Sequence, residues 1–246
     1  MHPGGGENFE RAPDRDIQRV CQLFRYVPYV KFTCVSYVNE KGRGRLAASR
    51  RTETMEANRA RLVSAARRAF AAKGFAAASM DELTADAGLT RGARYHNFGD
   101  KTGLLAAVVA EVDAEMAERA REAAAASPSE WEGLLAEGSA YIEMALDPEV
   151  RRIVLLDGPA FLGDPSQWPS QNACLDLTKQ AVARLIASNV LKPVDVEAAA
   201  RLLSGAALNA ALWVAASDDP HAVLPKAVEA FRLMATGLLK DAKAHS

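Results

Sequence analysis

The chain has 246 residues, a net charge of −1 and 49% hydrophobic residues, enough for a sizeable core in one or two domains. Its three cysteines, Cys21, Cys34 and Cys174, are widely spaced and odd in number, which excludes a disulfide framework or a cysteine zinc site and points to a reducing compartment. No apolar run reads as long enough to span a bilayer, and the N-terminus lacks an apolar stretch with a cleavage site, so a cytoplasmic protein is expected.

Charge is unevenly distributed. Residues 41–101 hold 13 Lys and Arg against 6 Asp and Glu, whereas residues 102–246 hold 12 against 20. A basic module on an acidic body suits a nucleic-acid-binding head joined to a ligand- or partner-binding body. A solvated charged face is the plainer alternative. Alanine is abundant, β-branched runs are scarce, and Pro and Gly fall between periodic segments, which predicts an all-α chain.

In chain order, residues 1–49 read as a disordered extension, with Gly4, Gly5, Gly6 and Pro13 near its start. An aromatic and β-branched stretch at 25–38 would need a sheet that nothing else supplies. Residues 41–51 form a basic arm of Lys41, Arg43, Arg45, Arg50 and Arg51. Such an arm can follow phosphates or enter the minor groove, or be a solvated tail. A helix is predicted over 53–73, with Leu62, Ala65, Ala66, Ala69 and Phe70 on one face and Gly74 as its stop. Ser79 and Glu82 have capping-box spacing and open a short second helix. Gly88 marks a sharp turn, and Thr90 can cap a third helix ending near Tyr95 to Phe98. Two short helices about a glycine turn make a helix-turn-helix, whose second helix can enter the DNA major groove.

Asp100 is a good N-cap for a long helix through Leu104, Leu105, Val108, Val109, Val112 and Met116 to about residue 126. Ser127, Pro128 and Ser129 break the chain before a helix over 130–146. Asp147 and Pro148 start another over 149–156, and Asp157-Gly158-Pro159 reads as a turn. Residues 164–169 form a loop carrying Trp168. Helices are then predicted over 170–189, 194–217 and 221–240, about nine in the whole chain. The last two, the first of them dense in Ala and Gly, could form a four-helix bundle with a symmetry copy or be the internal core of a monomer.

The match to a known family lies in residues 58–105. Its elements are Ala65-Ala66, Phe70 and Lys73-Gly74-Phe75, then Ser79-Met80-Asp81-Glu82-Leu83. Ala87-Gly88-Leu89-Thr90-Arg91-Gly92-Ala93 follows, then Tyr95, Phe98-Gly99-Asp100-Lys101 and Leu104-Leu105. In this order and spacing the segment resembles the DNA-binding head of the tetracycline-repressor (TetR) family of bacterial regulators. It departs from the family pattern at Arg94, where an apolar residue is usual, and at Asn97, where His or Tyr is common. A shorter stretch, Arg151-Arg152-Ile153-Val154-Leu155-Leu156-Asp157-Gly158-Pro159-Ala160-Phe161-Leu162-Gly163, resembles one branch of TetR-like C-terminal domains.

The resemblance implies a helix-turn-helix head over 50–103 and a helical ligand-binding and dimerisation body over 104–246, pairing through about 194–240. Thr90, Arg91 and Arg94 would face the major groove, where Arg can pair with guanine. Gly92 and Ala93 would allow close approach. Tyr95, His96 and Lys101 would hold phosphates and set register, with Asn97, Ser79, Arg50 and Arg51 completing the contact set. An apolar effector pocket in the body would draw on Met116, Trp131, Tyr141, Met144, Phe161, Trp168, Asn172 and Trp213. The implied function is a dimeric, ligand-responsive repressor. It would bind a pseudo-palindromic operator near its own gene and be released by a small, largely apolar effector through a population shift. A regulator without a small-molecule ligand, or a helical adaptor with a degenerate head, are the alternatives. No nucleophile elbow, phosphate loop or metal-ligand spacing appears, so no enzyme, cofactor or metal is expected.

This reading returns to the N-terminus. Back-translating Tyr29 to Cys34 allows a 15-base inverted repeat centred on the Lys31 codon. Five of its seven base pairs are forced by the genetic code, and all five are complementary. One expectation is therefore that residues 1–37 are translated operator DNA, with the true start at or near Val38; a genuine extension is the other.

Overall fold

The computed structural model describes residues 42–89 and 98–240, with side chains from 52 onward. Of the extension expected to be disordered over 1–49, residues 1–41, with the aromatic stretch and the inverted repeat, lie outside the described residues, and 42–49 are helical. Among the described residues the fold is all-α, with a single isolated bridge between Leu191 and Leu239.

The first helix, α1, is Gly42–Ala77. It starts well before the predicted residue 53, so the backbone of the basic arm is helical from Gly42. Extending an existing helix avoids the cost of nucleation, and the arm contains good helix formers in Leu46, Ala47, Ala48, Arg50 and Arg51. Leu62, Val63, Ala65, Ala66 and Phe70 form its buried stripe. The chain kinks at Gly74, whose φ of 78° favours a residue without Cβ.

Helix α2 is Met80–Asp86. Its predicted capping box is only half made: the Ser79 hydroxyl makes no cap bond, and the Glu82 carboxylate pairs with Lys73. Lys73 is the main cause holding the Glu82 carboxyl below its usual range, with the Ser79 N–H a lesser one. Gly88 turns the chain at φ 63°.

The long helix α3, Lys101–Ala125, is capped as predicted, Asp100 accepting the Gly103 N–H at 2.8 Å. Leu104, Val108, Val112, Met116 and Ala120 recur every four residues and are all buried. Helix α4, Glu130–Glu143, is capped by Ser129 and runs on into a 3₁₀ turn, Met144–Leu146. Residues 148–162 form one helical run, α5, capped by Asp147. Its middle, Arg151–Asp157, is π-helical, with the Gly158 N–H donating back to the Ile153 carbonyl. The expected turn at Asp157-Gly158-Pro159 is thus helix. The widened π segment directly precedes Pro159, whose ring and missing N–H a regular α turn would not accommodate.

Helices α6, Pro169–Ala187, α7, Val196–Ala216, and α8, Pro220–Thr236, complete the chain. Contrary to the sequence expectation, α7 is long and apolar enough to cross a membrane by length and composition. One face is buried within the protein, through Ala200, Leu203, Ala207, Ala211 and Val214. The window is apolar overall because Leu202 and Trp213 on the other face are apolar too. Helix α7 packs against α4, α6 and α8, α4 also packs along α3, and α5 meets both α1 and α3.

Candidate nucleic-acid interface and effector cavity

The expected DNA-contacting residues Thr90, Arg91, Gly92, Arg94, Tyr95, His96 and Asn97 lie outside the described residues, as do the side chains of Arg50 and Arg51. The two ends of that segment are well anchored. On one side, the Leu89 N–H donates to the Thr84 carbonyl at 2.9 Å. On the other, Phe98 packs on the core beneath the Arg59 guanidinium, 4.9 Å from the ring centre. Arg61 lies over Gly88, where an added Cβ would sit 2.6 Å from its Nη2. Arg59 and Arg61 were not singled out from the sequence, although two exposed arginines beside the turn add to the positive charge there.

Ser79 is exposed. Lys101 folds back on the end of α1, donating to the carbonyls of Ala78 at 2.7 Å and Ala76 at 3.3 Å, and its Nζ lies 4.4 Å from the Phe75 ring centre. It thereby ties the start of α3 to the end of α1.

A second set of contacts joins these N-terminal helices to α3 and α5. The Arg67 guanidinium makes paired hydrogen bonds to Glu115, at 2.6 and 2.7 Å, and to Glu149, at 2.8 and 2.7 Å, and reaches Glu111 at 3.0 Å. Arg67 in turn holds the Glu115 carboxyl below its usual range. Past the kink, the Phe75 N–H donates to Asp157 at 2.7 Å, and the Arg152 guanidinium fills the space beside Gly74. The Phe75 ring packs against Phe161, centres 4.4 Å apart. From the same turn of α5, Arg151 donates to the Ala215 carbonyl at the end of α7, at 2.7 Å.

Along another face of α3 lies a partly open cavity of about 80 Å³, walled by α3, α4, α6, α7 and α8. Its surface is mainly apolar, from Ala117, Leu134, Leu203, Ala207 and Phe231. Gly138 makes room for the Phe231 ring, since a Cβ there would lie 2.4 Å from it. Polar groups enter from two sides. The Gln171 amide donates to Asp113 at 3.1 Å and to the Tyr141 hydroxyl at 3.4 Å. Burial raises the Asp113 pKa, opposed by hydrogen bonds from Ser170 and Gln171. Burial also raises Glu137 and Tyr141, and pushes the Cys174 thiol up to about 11.

Of the eight residues expected to line an effector site, Tyr141 is on this cavity wall. Trp131 lines an outer groove between α4 and α8. Met116 and Met144 are in the solid core, and Trp168 is buried against Gly158. Phe161 and Trp213 are substantially exposed, and so is Asn172. The wall instead uses Asp113, Glu137, Gln171 and Cys174. The signal for Asp113 was present, as a carboxylate within the buried stripe of Val109, Val112 and Met116. Among the described residues no group of three or more His, Cys, Asp or Glu is placed to hold a metal.

Two family models match this chain in order. Residues 62–108 match that of bacterial regulatory proteins of the tetR family, and residues 131–238 match a tetracyclin repressor-like C-terminal domain. A TetR-family transcriptional regulator from Pectobacterium atrosepticum is 45% identical, with a TM-score of 0.71, over 76% of this chain and 96% of that one. This chain belongs to the TetR family. TetR-family proteins are DNA-binding transcriptional regulators, not enzymes, so the helix-turn-helix reading and the absence of catalysis both stand. The transcriptional repressor AcnR of Corynebacterium glutamicum is 31% identical over 135 residues, 55% of this chain and 67% of AcnR. The TetR-like fold extends to FadR of Bacillus subtilis, solved with stearoyl-CoA, at 17% identity and a TM-score of 0.57 over 72% of this chain and 98% of that one. Family members bind DNA and dimerise, and many bind small effectors.

Proposed function

We propose that this protein is a ligand-responsive, dimeric, cytoplasmic repressor of a pseudo-palindromic operator near its own gene. The head would occupy residues 50–103 and the effector-binding and dimerisation body 104–246. Residues 90–97 would read the DNA, assisted by Arg50, Arg51, Ser79 and Lys101. Pairing would use α7 and α8: Leu202, Gly205, Asn209 and Trp213 share one exposed face of α7, and Leu233 and Met234 are exposed on α8. AcnR supports the repressor reading.

The observation that carries the proposal is the path of α3. One helix runs from Lys101, tied to the end of α1, to Asp113 on the cavity wall, a rise of roughly 18 Å. An occupant of the cavity that tilts α3 therefore also displaces the joint beside the DNA-reading segment. Two recognition segments matched to major grooves about 34 Å apart would lose their fit.

The test is anisotropy of labelled DNA from upstream of the gene, titrated with protein across a salt series. Sequence-specific binding as a dimer is expected, and Arg94→Ala should weaken it. Lys101→Ala should lower the salt slope by about one unit. An unchanged slope would assign Lys101 to the α1–α3 tie alone. Binding no tighter to upstream DNA than to unrelated DNA would overturn the operator reading.

A further inference from the structure

Several carboxylates elsewhere among the described residues have cationic partners. Arg67 serves three, Lys179 and Arg201 serve Glu197, Arg232 serves Glu132 and Arg184 serves Glu130. The cavity differs. Asp113 and Glu137 both line it, and neither is in an ion pair among the described residues. Asp113 is only 2% exposed, and its hydrogen-bond partners, Gln171 and Ser170, are neutral. Arg121 acts on Glu137 through space, but its guanidinium is engaged by Glu118 and the Ala117 carbonyl.

A carboxylate buried without a counter-charge is a standing penalty on the native state. A bound cation would remove it. An anion would add like charge, and a neutral molecule would leave the imbalance in place. The remaining wall, with Leu134, Leu203 and Phe231, asks for an apolar body behind the charge. Its size is limited, since a cavity of about 150 Å³ takes a benzene ring.

We propose that the cavity binds a small organic cation, an ammonium on a compact apolar body, with Asp113 and Glu137 as its counter-charges. This rests on the reading of the cavity as the effector site. It sharpens the expectation of a largely apolar effector by adding one positive charge.

The test uses the full chain at pH 7 with three small probes of similar size: isopropylamine, isopropanol and propionate. By calorimetry, isopropylamine should bind at least about tenfold more tightly than isopropanol, with propionate weakest. Asp113→Asn combined with Glu137→Gln should level isopropylamine with isopropanol. If the double variant does not fold, Glu137→Gln alone, at the less buried position, should still reduce the preference. Equal binding of the alcohol or propionate, a preference that survives both substitutions, or no binding of isopropylamine would each overturn the cation site. Release of upstream DNA, read by anisotropy, separates the two levels. Selective isopropylamine binding that leaves DNA bound keeps the cation site and overturns the effector reading. Release by the alcohol or propionate but not by isopropylamine does the reverse.

Discussion

The junction around Arg67 and the cavity around Asp113 sit on the same helix, α3, and treat carboxylates in opposite ways. At the junction, one guanidinium satisfies Glu111, Glu115 and Glu149 with five hydrogen bonds. On the opposite face of the same turns, between Glu111 and Glu115, Asp113 is buried against an amide and a hydroxyl. The first arrangement fixes three helices relative to one another; the second leaves a charge requirement open. Rigid attachment and an unmet requirement on one helix are the ingredients of a body that answers to an occupant and passes the answer on.

The largest expected effect comes from breaking the junction. Arg67→Ala should cost about 2 kcal/mol, below the range for fully buried pairs because solvent reaches Glu111 and Glu115. Denaturant unfolding measures it. Arg67→Lys should recover less than half, since an ammonium cannot make both paired contacts. The Glu115 pKa is depressed by Arg67, so its contribution is complete above the unfolded carboxylate pKa and is lost as pH falls through the folded one. The gap between wild type and variant should therefore narrow on acidification.

A smaller effect is expected at the other strand of the junction. Asp157→Ala removes the acceptor for the Phe75 N–H and should cost about 1–2 kcal/mol, with Asp157→Asn milder because it keeps an oxygen there. The cavity should respond with the opposite sign. Burial raises the Asp113 pKa, so the native chain takes up this proton before the unfolded one. The penalty is full above the folded pKa and vanishes as pH falls below the unfolded one. Asp113→Asn, which keeps an acceptor for Gln171, should raise Tm by about 2–4 °C at neutral pH, and acidification should erase the gain. A loss of Tm in this variant would place Asp113 with the satisfied carboxylates and remove the contrast.

Ser79 apart, the caps and stripes were legible because they depend on neighbours in sequence. Asp100, Ser129 and Asp147 cap where their spacing to the following apolar run required, and α3 buries the residues its period selects. Two features depended on partners far along the chain. Asp157-Gly158-Pro159 has turn composition but is helix, with Asp157 bonded to a backbone N–H 82 residues away. The cavity wall was only partly legible, because aromatic residues signal bulk and not direction: Trp168 faces Gly158, and Trp213 faces outward. The polar members were the better guide, since a carboxylate amid valines is costly wherever it points.

The π segment of α5 has a geometric consequence. It holds one residue more than a regular coil would need between Arg151 and Asp157. Excising a single residue there would let the coil close up into a regular α-helix, with the turns on either side facing much as before, because the wider turn absorbs the extra residue. The protein should therefore tolerate a one-residue deletion better within those seven positions than in the regular turn after them, where it would turn Phe161 about 100° away from the Phe75 ring.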